Sequence, residues 1–490
     1  MSSYIYKSAI ELAGLIRDGK ASSTDIIREH LEQIKRYNNT LNALISIFED
    51  EALIAAAECD NETREGKSRG PLHGVPVTIK EQFWIKGKHS NTNFKMLKDF
   101  VAPEDAVIVD RIRKVGAIIL GQTNVPRNLI DYQVSGDLYP EGKNPYDTDY
   151  SPGGSTGGGA AALAGGFTPL ELGGDFGGSV RVPANFCGLY GLKPTENTVP
   201  LHGNIPLSKN AKTFIVHMAQ AGPLARNIDD LELLWKIIVG QHDSDRNIPD
   251  INWKQPIKNS LSDHKIAWTD GWPGYETSSQ ISNAIKSFSD KLMACGCNIE
   301  KKIPDETLHT ESLKTWVGLF PYIIAQSTPW YIRSIIKMQL YKGLLKGMKT
   351  DSPHFTKTMS DAFKMSANHY GEVLLQRSLM TQRWENFFEE YDFLICPVAY
   401  GPAYKRCKTG SKLSYDGKEM IYVNYVWPYV ACFNASGNPS ITIPLGKGKE
   451  GLPLGVQIVG KYWSEPELIN FAKQVAKLTV GFVKPDNFEI

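Results

Sequence analysis

The chain reads Ser151-Pro-Gly-Gly-Ser155-Thr-Gly-Gly-Gly159 and, shortly afterwards, Gly173-Gly-Asp-Phe-Gly-Gly-Ser179-Val-Arg181. Each stretch places a serine in a glycine-rich turn, and no histidine lies between His89 and His202. Glycines let backbone N–H groups approach a reacting atom that a side chain would shield. The pattern therefore predicts two serines that work without the histidine that usually activates a serine nucleophile.

Ser179 is the candidate nucleophile because two glycines precede it directly. Ser155 then needs a second role, and we expect it to pass a proton between the nucleophile and a base. The oxyanion of a tetrahedral intermediate would be bound by backbone N–H groups of the second stretch, which are those of Phe176, Gly177, Gly178 and Ser179.

Lys80 is the candidate base, since it ends the run Gly74-Val-Pro-Val-Thr-Ile-Lys80. The β-branched residues of this run predict a strand that carries the lysine into the interior. Complete burial lowers a lysine pKa by about 3–5 units, so a dry pocket would hold the amine neutral near neutral pH. Without the two serines, a lysine that extends along the surface to reach solvent would be the better interpretation.

These residues resemble the amidase signature family, and in motif they are most similar to its fatty acid amide hydrolase and bacterial amidase branch. The resemblance rests on Lys80, on the Ser155 turn, on the Ser179 loop and on the spacing between them. It covers most of the chain except about residues 300–390, and further matching segments are Gly70–Pro76, Cys187–Thr195, Ala221–Arg226 and Gly451–Gly460.

The resemblance implies a relay in which Ser179 attacks an amide carbonyl and Ser155 bridges it to Lys80. It also implies that the peptide bond at Ser155 is cis. The proton taken from Ser179 can return through Ser155 to the leaving nitrogen, which is expelled only when protonated. We expect no metal, because the histidines and cysteines lack the spacing of known zinc motifs, and no cofactor.

Two positions depart from the family's commonest pattern. Thr156 stands where a second serine is frequent and keeps a hydroxyl, so we expect it to support the site. Phe176 stands where threonine or isoleucine is frequent, and it would supply only its backbone N–H and narrow the adjacent pocket.

By resemblance Asp175 and Arg181 brace the nucleophile loop, although they would equally suit an ordinary surface ion pair.

The glycines also fit a flexible linker or a phosphate-binding loop. A linker is disfavoured by the helix-forming run 160–165 that follows the first turn. A phosphate-binding loop is disfavoured because Gly-x4-Gly-Lys-Ser/Thr does not occur. One G-x-G-x-x-G pattern exists, Gly446–Gly451, but it lies between two strand-like runs, so we predict a β-hairpin there.

Composition indicates a soluble globular protein, with 42% hydrophobic and 22% charged residues and no apolar run long enough to cross a membrane. The N-terminal residues lack a signal-peptide pattern, and seven irregularly spaced cysteines suggest reduced thiols, so we expect a cytoplasmic location. A net charge of +1 argues against nucleic-acid binding. The expected partner is a small-molecule amide, and a homodimer is left open.

We expect one large α/β domain over residues 1–490, with a large mixed β-sheet sandwiched between helices, because no polar linker or repeat divides the chain. Within it we distinguish an N-terminal helical region at 1–65, a catalytic core at 66–230 and a variable substrate-pocket region at 300–390. Strands and helices are predicted at Val75–Ile79, Ala106–Val115, Ala117–Leu120, Ala160–Gly165 and Ile441–Pro444, with a further strand from Lys265 and a helix to about Ala294.

Substrate choice should come from two segments. Val125-Pro-Arg-Asn-Leu129-Ile-Asp-Tyr132 resembles the stretch that lines the acyl side of the pocket in fatty acid amide hydrolases, so Leu129 and Tyr132 are candidate substrate-binding residues. Core packing explains each of them equally well. Aromatic and apolar residues between 313 and 348 would line a pocket for hydrophobic acyl or aryl amides, among them Trp316, Leu319, Phe320 and Tyr322.

Residues 330–348 have the spacing of a basic amphipathic helix. Such a helix usually covers its own core. It could instead rest in a membrane interface and admit a lipid amide. Its apolar stripe and the basic residues beside it are Ile332, Ile336, Leu340, Leu344 and Met348 with Arg333, Lys337 and Lys346.

Three functions compete. The preferred one is a stand-alone amidase that hydrolyses the C–N bond of linear amides, and such a nucleophile would also open esters. The second is a glutamine-dependent amidotransferase A-type subunit, which needs partner proteins and transfer RNA; we place it second because the region before Ser155 resembles the lipid-amidase branch more closely. The third is a non-catalytic binding protein, which the presence of all three relay residues disfavours.

Overall fold

The computed structural model describes residues 3–204, 217–254, 257–326, 362, 365–486 and 488. Helices and strands are interspersed along this part of the chain. The helices are α1 (Ala9–Arg17), α2 (Ser23–Leu41), α3 (Glu49–Arg64), α4 (Val107–Lys114), α5 (Gly157–Ala164), α6 (Arg181–Phe186), α7 (Ile228–Ile238), α8 (Ser279–Ala294), α9 (Glu306–Gln326), α10 (Ala367–Glu390), α11 (Trp427–Ser436) and α12 (Glu465–Ala476).

One mixed sheet of eleven strands runs through the molecule, and a separate two-stranded hairpin consists of β10 and β11. The strands are β1 (Leu44–Ile47), β2 (Pro76–Lys80), β3 (Ile118–Thr123), β4 (Leu170–Asp175), β5 (Tyr190–Lys193), β6 (Gln220–Ala225), β7 (Lys265–Trp268), β8 (Asn298–Lys301), β9 (Phe393–Cys396), β10 (Leu413–Tyr415), β11 (Lys418–Met420), β12 (Ser440–Lys447) and β13 (Pro453–Gly460). Across the large sheet their order is β1-β3-β2-β4-β6-β5-β12-β13-β9-β7-β8.

Strand β2 lies between β3 and β4 and runs parallel to both. Successive side chains of a strand point to opposite faces of the sheet. Val77 and Ile79 therefore join the main hydrophobic core, together with apolar residues of α4. The alternate residues Thr78 and Lys80 point to the face that α5 covers, which is how an apolar strand delivers a lysine to the glycine-rich turn before α5.

The face of the sheet that α5 covers carries a second core. Ile118 and Leu120 of β3 pack there with Ala161 and Ala162 of α5 and with apolar residues of α2. Helices thus cover both faces, and the predicted α/β sandwich around a mixed sheet is confirmed.

Most predicted elements agree with the structure to within a few residues. The strand from Lys265 and the helix ending at Ala294 are confirmed. The segment around 446–451 joins β12 to β13 as an antiparallel hairpin, which confirms the β-hairpin predicted there. The exception is the N-terminal region 1–65, predicted to be helical: its residues Leu44–Ile47 form β1, which pairs antiparallel with β3.

The predicted amphipathic helix at 330–348 lies outside the described residues, so both of its interpretations stay predictions. Within the described ranges, no helix combines the length and the apolar character needed to cross a bilayer. The proposed single domain and its subdivision at 1–65, 66–230 and 300–390 also stay predictions.

Candidate active site

Lys80 is the last residue of β2, and it lies fully buried at the carboxyl end of the parallel strands β2 and β4. Its Nζ donates a hydrogen bond to Ser155 Oγ at 2.8 Å and another to the carbonyl oxygen of Gly174 at 3.2 Å. Two of the three predicted relay residues are therefore in direct contact. A lysine that extends to the surface is excluded by this burial.

Burial lowers the pKa of Lys80 from 10.5 to about 7, because the charged ammonium loses its hydration there. The negative charges of Asp175 and Glu171 act in the opposite direction. Near neutral pH a large fraction of Lys80 is therefore neutral, as a general base requires.

Glu171 is a buried carboxyl that no motif in the sequence indicates. It lies in β4 and accepts hydrogen bonds from the hydroxyls of Thr78 at 2.5 Å and Thr123 at 2.7 Å. Burial raises its pKa from 4.5 to about 7, against the effect of these two hydroxyls and of Lys80. Because β4 is the neighbouring strand of β2, Glu171 is part of the electrostatic environment of Lys80.

The turn that carries Ser155 has a cis peptide bond between Gly154 and Ser155, as the family resemblance implied. Thr156 ties this turn to the nucleophile loop, because its N–H donates to the carbonyl oxygen of Ser179 at 3.1 Å. The Thr156 hydroxyl donates to the carbonyl oxygen of Gly174 at 3.4 Å. Both serines belong to the described part of the chain, and no hydrogen bond joins Ser155 Oγ to Ser179 Oγ. The contact between the two serines, which is the second link of the proposed relay, is therefore not made in this structure.

The nucleophile loop, residues 176–179, is organised by the carboxylate of Asp175. That carboxylate accepts the N–H of Gly178 at 2.8 Å and the N–H of Val180 at 3.1 Å. The prediction that Gly178 contributes to the oxyanion hole therefore needs correction, because its N–H is already bound. In the described part of the chain, the N–H groups without an acceptor in this loop are those of Phe176, Gly177 and Ser179.

Asp175 and Arg181 form an ion pair whose side chains are both completely buried, with Nε to Oδ2 at 3.1 Å. The alternative of an ordinary surface pair is therefore wrong. Burial alone would raise the pKa of Asp175, but the charge and the hydrogen bonds of Arg181, together with Asn434, hold it well below its usual value. Arg181 also donates to Asn434 Oδ1 at 2.6 Å and to Gln457 Oε1 at 3.0 Å.

Aromatic side chains of α9 pack over the nucleophile loop. The Phe176 ring lies edge-on to Phe320 at 5.0 Å, and Phe320 stacks on Trp316 at 4.4 Å. A Cβ at Gly177 would lie 2.9 Å from the Trp316 ring, so this close approach requires glycine. Gly178 needs glycine for its φ of +100° as well. Phe176 thus belongs to an aromatic wall beside Ser179.

Tyr132 and Leu129, the candidate substrate residues, lie in different settings. The half-buried Tyr132 donates its hydroxyl to the carbonyl oxygen of Gly177 at 2.9 Å, directly on the nucleophile loop. Leu129 ends a short 3₁₀ turn, Arg127–Leu129, with φ of 63°, and its half-buried side chain lies outside the main core cluster. A role of either residue in substrate binding stays a proposal.

Two clusters in the described residues could hold a metal ion, and neither includes a relay residue. In Cys59–Glu62–His73, the histidine is hydrogen-bonded to the Cys59 carbonyl and Glu62 is paired with Arg69. In His264–Asp392–Glu467, the ammonium of Lys258 lies 2.6 Å from Asp392 and already supplies a positive charge. We assign no metal to either cluster.

Comparison with known proteins gives a consistent result. A family model described as Amidase matches residues 25–469. The A subunit of the glutamyl-tRNA(Gln) amidotransferase of Clostridium botulinum is 30% identical over 490 residues, which cover 95% of this chain and 95% of that protein. The structure of 6-aminohexanoate cyclic dimer hydrolase complexed with substrate is similar with a TM-score of 0.81 at 23% identity, covering 99% of both chains. Fatty acid amide hydrolase is similar with a TM-score of 0.76 at 22% identity, covering 97% of this chain and 85% of that one. At these identities the two structures establish a shared fold.

Proposed function

Since the chain belongs to the amidase family, we propose that it cleaves the C–N bond of a carboxylic acid amide through an acyl-enzyme on Ser179. The observation that carries the proposal is the 2.8 Å hydrogen bond between Lys80 and Ser155, in a place where burial brings the pKa of the lysine to about 7. A buried lysine with a serine on its amine and a second serine on the adjoining loop has the parts of a proton relay.

In the proposed first step, neutral Lys80 takes the proton of Ser155 while Ser155 takes the proton of Ser179. Ser179 Oγ then bonds to the carbonyl carbon, and the carbonyl oxygen becomes an oxyanion. The N–H groups of Phe176, Gly177 and Ser179 are the donors left to bind it. We expect the open Ser155–Ser179 link to close when an amide occupies the site, because catalytic hydrogen bonds often tighten only in the complex.

In the second step the C–N bond breaks as Ser155 gives its proton to the leaving nitrogen and recovers one from protonated Lys80. The products are an amine, or ammonia from a primary amide, and an acyl group esterified to Ser179. Water then attacks the ester by the same relay and releases the acid. Every proton removed in acylation is returned, so the cycle needs no cofactor.

We further propose that the substrate carries an apolar or aryl acyl group. The aromatic wall of Phe176, Phe320 and Trp316 supports this, because it lies against the loop that holds the nucleophile. Burial of apolar substrate surface on such a wall would favour hydrophobic amides over short polar ones.

A glutamine-dependent amidotransferase subunit is the second candidate, and the comparison with curated proteins favours it. The Clostridium botulinum relative with that description is similar over nearly the whole of both chains. This similarity weighs against the preference for a stand-alone amidase, which rested on the region before Ser155. Such a subunit would perform the same cleavage on glutamine and would pass the ammonia to a partner.

The experiment that separates the two candidates is an amide panel with direct measurement of released ammonia. A hydrophobic-amide hydrolase should turn over phenylacetamide or a long-chain fatty amide faster than acetamide or glutamine. Preference for glutamine, together with copurification of stable partner proteins, would instead establish the amidotransferase role. Ser179→Ala should release no ammonia from any amide, and turnover by that variant would contradict the acyl-enzyme.

A further inference from the structure

Two side chains from distant parts of the sequence hold the carbonyl oxygens of the nucleophile loop. The indole Nε1–H of Trp316, on α9, donates to the carbonyl oxygen of Phe176 at 2.8 Å. The hydroxyl of Tyr132 donates to the carbonyl oxygen of Gly177 at 2.9 Å. Consecutive peptide groups of the loop are thus each fixed from outside it.

A fixed carbonyl also fixes the direction of the next N–H, because the C=O and N–H of a trans peptide point in opposite directions in one plane. The bond from Trp316 therefore aims the Gly177 N–H away from α9. The bond from Tyr132 fixes the next peptide at its carbonyl end, while Asp175 holds the same peptide at the Gly178 N–H. The two peptides cannot turn to bury the Gly177 N–H unless one of these bonds breaks.

Both donors are themselves held rigidly. The Trp316 ring stacks on Phe320 at 4.4 Å and lies 5.8 Å from the Trp427 ring. The backbone carbonyl of Tyr132 accepts hydrogen bonds from Ser151 Oγ and from the hydroxyl of Tyr404, each at 3.0 Å. Since Ser151 begins the turn that carries Ser155, Tyr132 spans the gap between the two serine loops.

We propose that Trp316 and Tyr132 are positioning residues for the Gly177 N–H. Trp316 fixes the peptide that carries this oxyanion donor, and Tyr132 fixes the next peptide, whose own N–H is bound by Asp175, so that Gly177 is held on both sides. The assignment rests on the proposed acyl-enzyme at Ser179. It gives the Tyr132 hydroxyl a role distinct from substrate contact, and it makes α9 a determinant of turnover and not only a wall of the pocket. An oxyanion hole whose N–H groups point in the wrong direction stabilises the transition state less, while binding of the ground-state substrate is unchanged.

The test uses Tyr132→Phe, which removes only a hydroxyl, and Trp316→Phe, which removes the indole N–H and keeps a ring beside Phe320. Matched controls are Tyr391→Phe, whose hydroxyl binds Glu300 and not the loop, and Trp235→Phe, which shortens a buried indole on α7 whose N–H has no hydrogen-bond partner among the described residues. The readouts are kcat and KM for phenylacetamide, or for the best amide of the panel, and the inhibition constant of a phenylalkyl trifluoromethyl ketone, which adds to Ser179 as a tetrahedral oxyanion.

Each positioning variant should lose about tenfold in kcat, less than the 10²–10³-fold cost of deleting an oxyanion donor itself, with KM changed by less than about twofold. Affinity for the trifluoromethyl ketone should fall in parallel, while the urea midpoint and both control variants stay near wild type. Wild-type kcat in Tyr132→Phe, or a raised KM at unchanged kcat, would overturn the proposal. If Trp316→Phe does not fold, Tyr132→Phe decides alone.

Failure of this inference is distinguishable from failure of the proposed function. An alkyl fluorophosphonate that labels Ser179 in the wild type establishes the nucleophile independently of both positioning residues. A labelled wild type with fully active positioning variants refutes only the positioning role. A wild type that is not labelled refutes the acyl-enzyme on which the inference rests.

Discussion

Raising the pH through 7 should switch on amide cleavage by removing the proton from Lys80. Burial lowers the pKa of this lysine from 10.5 to about 7, and its neutral form is the one that accepts the Ser155 proton. The rate should therefore rise with pH, since deprotonation creates the base. The rise should level off above the folded-state pKa.

The magnitude follows from the neutral fraction of the amine. With a pKa of about 7, roughly a tenth of Lys80 is neutral at about pH 6 and roughly nine-tenths at about pH 8, so kcat/KM should rise about tenfold over that interval. A lysine with its ordinary pKa would be neutral in only about three molecules in ten thousand at pH 7. Burial thus makes the base about a thousandfold more available there.

The assay is the pH profile of kcat/KM for the best amide of the panel, with ammonia as the readout. Lys193 offers a matched control, because it is also fully buried, its pKa is lowered mainly by burial to about 7, and its Nζ donates to the carbonyl oxygen of Pro194 and not to the relay. In Lys193→Met the pH profile of kcat/KM should still level off near pH 7, as in the wild type; we call this change of slope the bend. In Lys80→Ala the bend should vanish, and amide cleavage should fall more than ester cleavage, because only the amine must be protonated to leave.

Three results would refute this reasoning. A profile that is flat between about pH 6 and about pH 8 would show that no group with a pKa near 7 controls the step. A bend that survives in Lys80→Ala would assign it to another group. A bend that disappears in Lys193→Met would assign it to the wrong lysine.

Two further predictions concern the surroundings of the relay. Glu171 has a pKa of about 7 and is therefore partly ionised where Lys80 titrates. Glu171→Gln removes this partial negative charge, which opposes the lowered pKa of Lys80, so the rising limb of the rate profile should move slightly to lower pH; a shift to higher pH would contradict the electrostatics. Arg181→Met leaves the Asp175 carboxylate buried without its ion pair and should lower the free energy of unfolding in urea by about 3–5 kcal/mol. The exposed pair of Lys412 with Glu419 provides the control, since Lys412→Met should cost less than about 1 kcal/mol, and equal losses in the two variants would show that burial is not what matters.

The residues proposed for the relay were identified in the sequence because their signals are local. An apolar, β-branched strand ending in Lys80 and two glycine-rich turns around Ser155 and Ser179 each occupy a short stretch of sequence. Where local periodicity was strong, as at β2, β12 and β13, the predicted strands were confirmed. The short strand β1 was missed because four residues between two helices carry too little periodicity.

The parts of the site that were missed depend on contacts between distant segments. Arg181 is satisfied by Asn434 and Gln457, which lie more than 250 residues further along the chain, so its burial could not be deduced from the loop. Trp316 was assigned to the pocket from its apolar neighbours, but its hydrogen bond to the Phe176 carbonyl exists only because α9 crosses the loop. A single sequence gives no signal for such pairings.

The oxyanion hole shows a different limit. Four consecutive N–H groups were predicted to bind the oxyanion, because the sequence does not show which of them the loop uses itself. Asp175 is the last residue of β4, and its carboxylate accepts the N–H of Gly178, three residues further along, which closes the loop. That local folding leaves three N–H donors.

The central claim is an activated nucleophile at Ser179, and intact-mass measurement after incubation with an alkyl fluorophosphonate tests it most directly. The account predicts a single adduct on the wild type and none on Ser179→Ala. An unmodified wild-type protein, or an adduct that persists on Ser179→Ala, would contradict it.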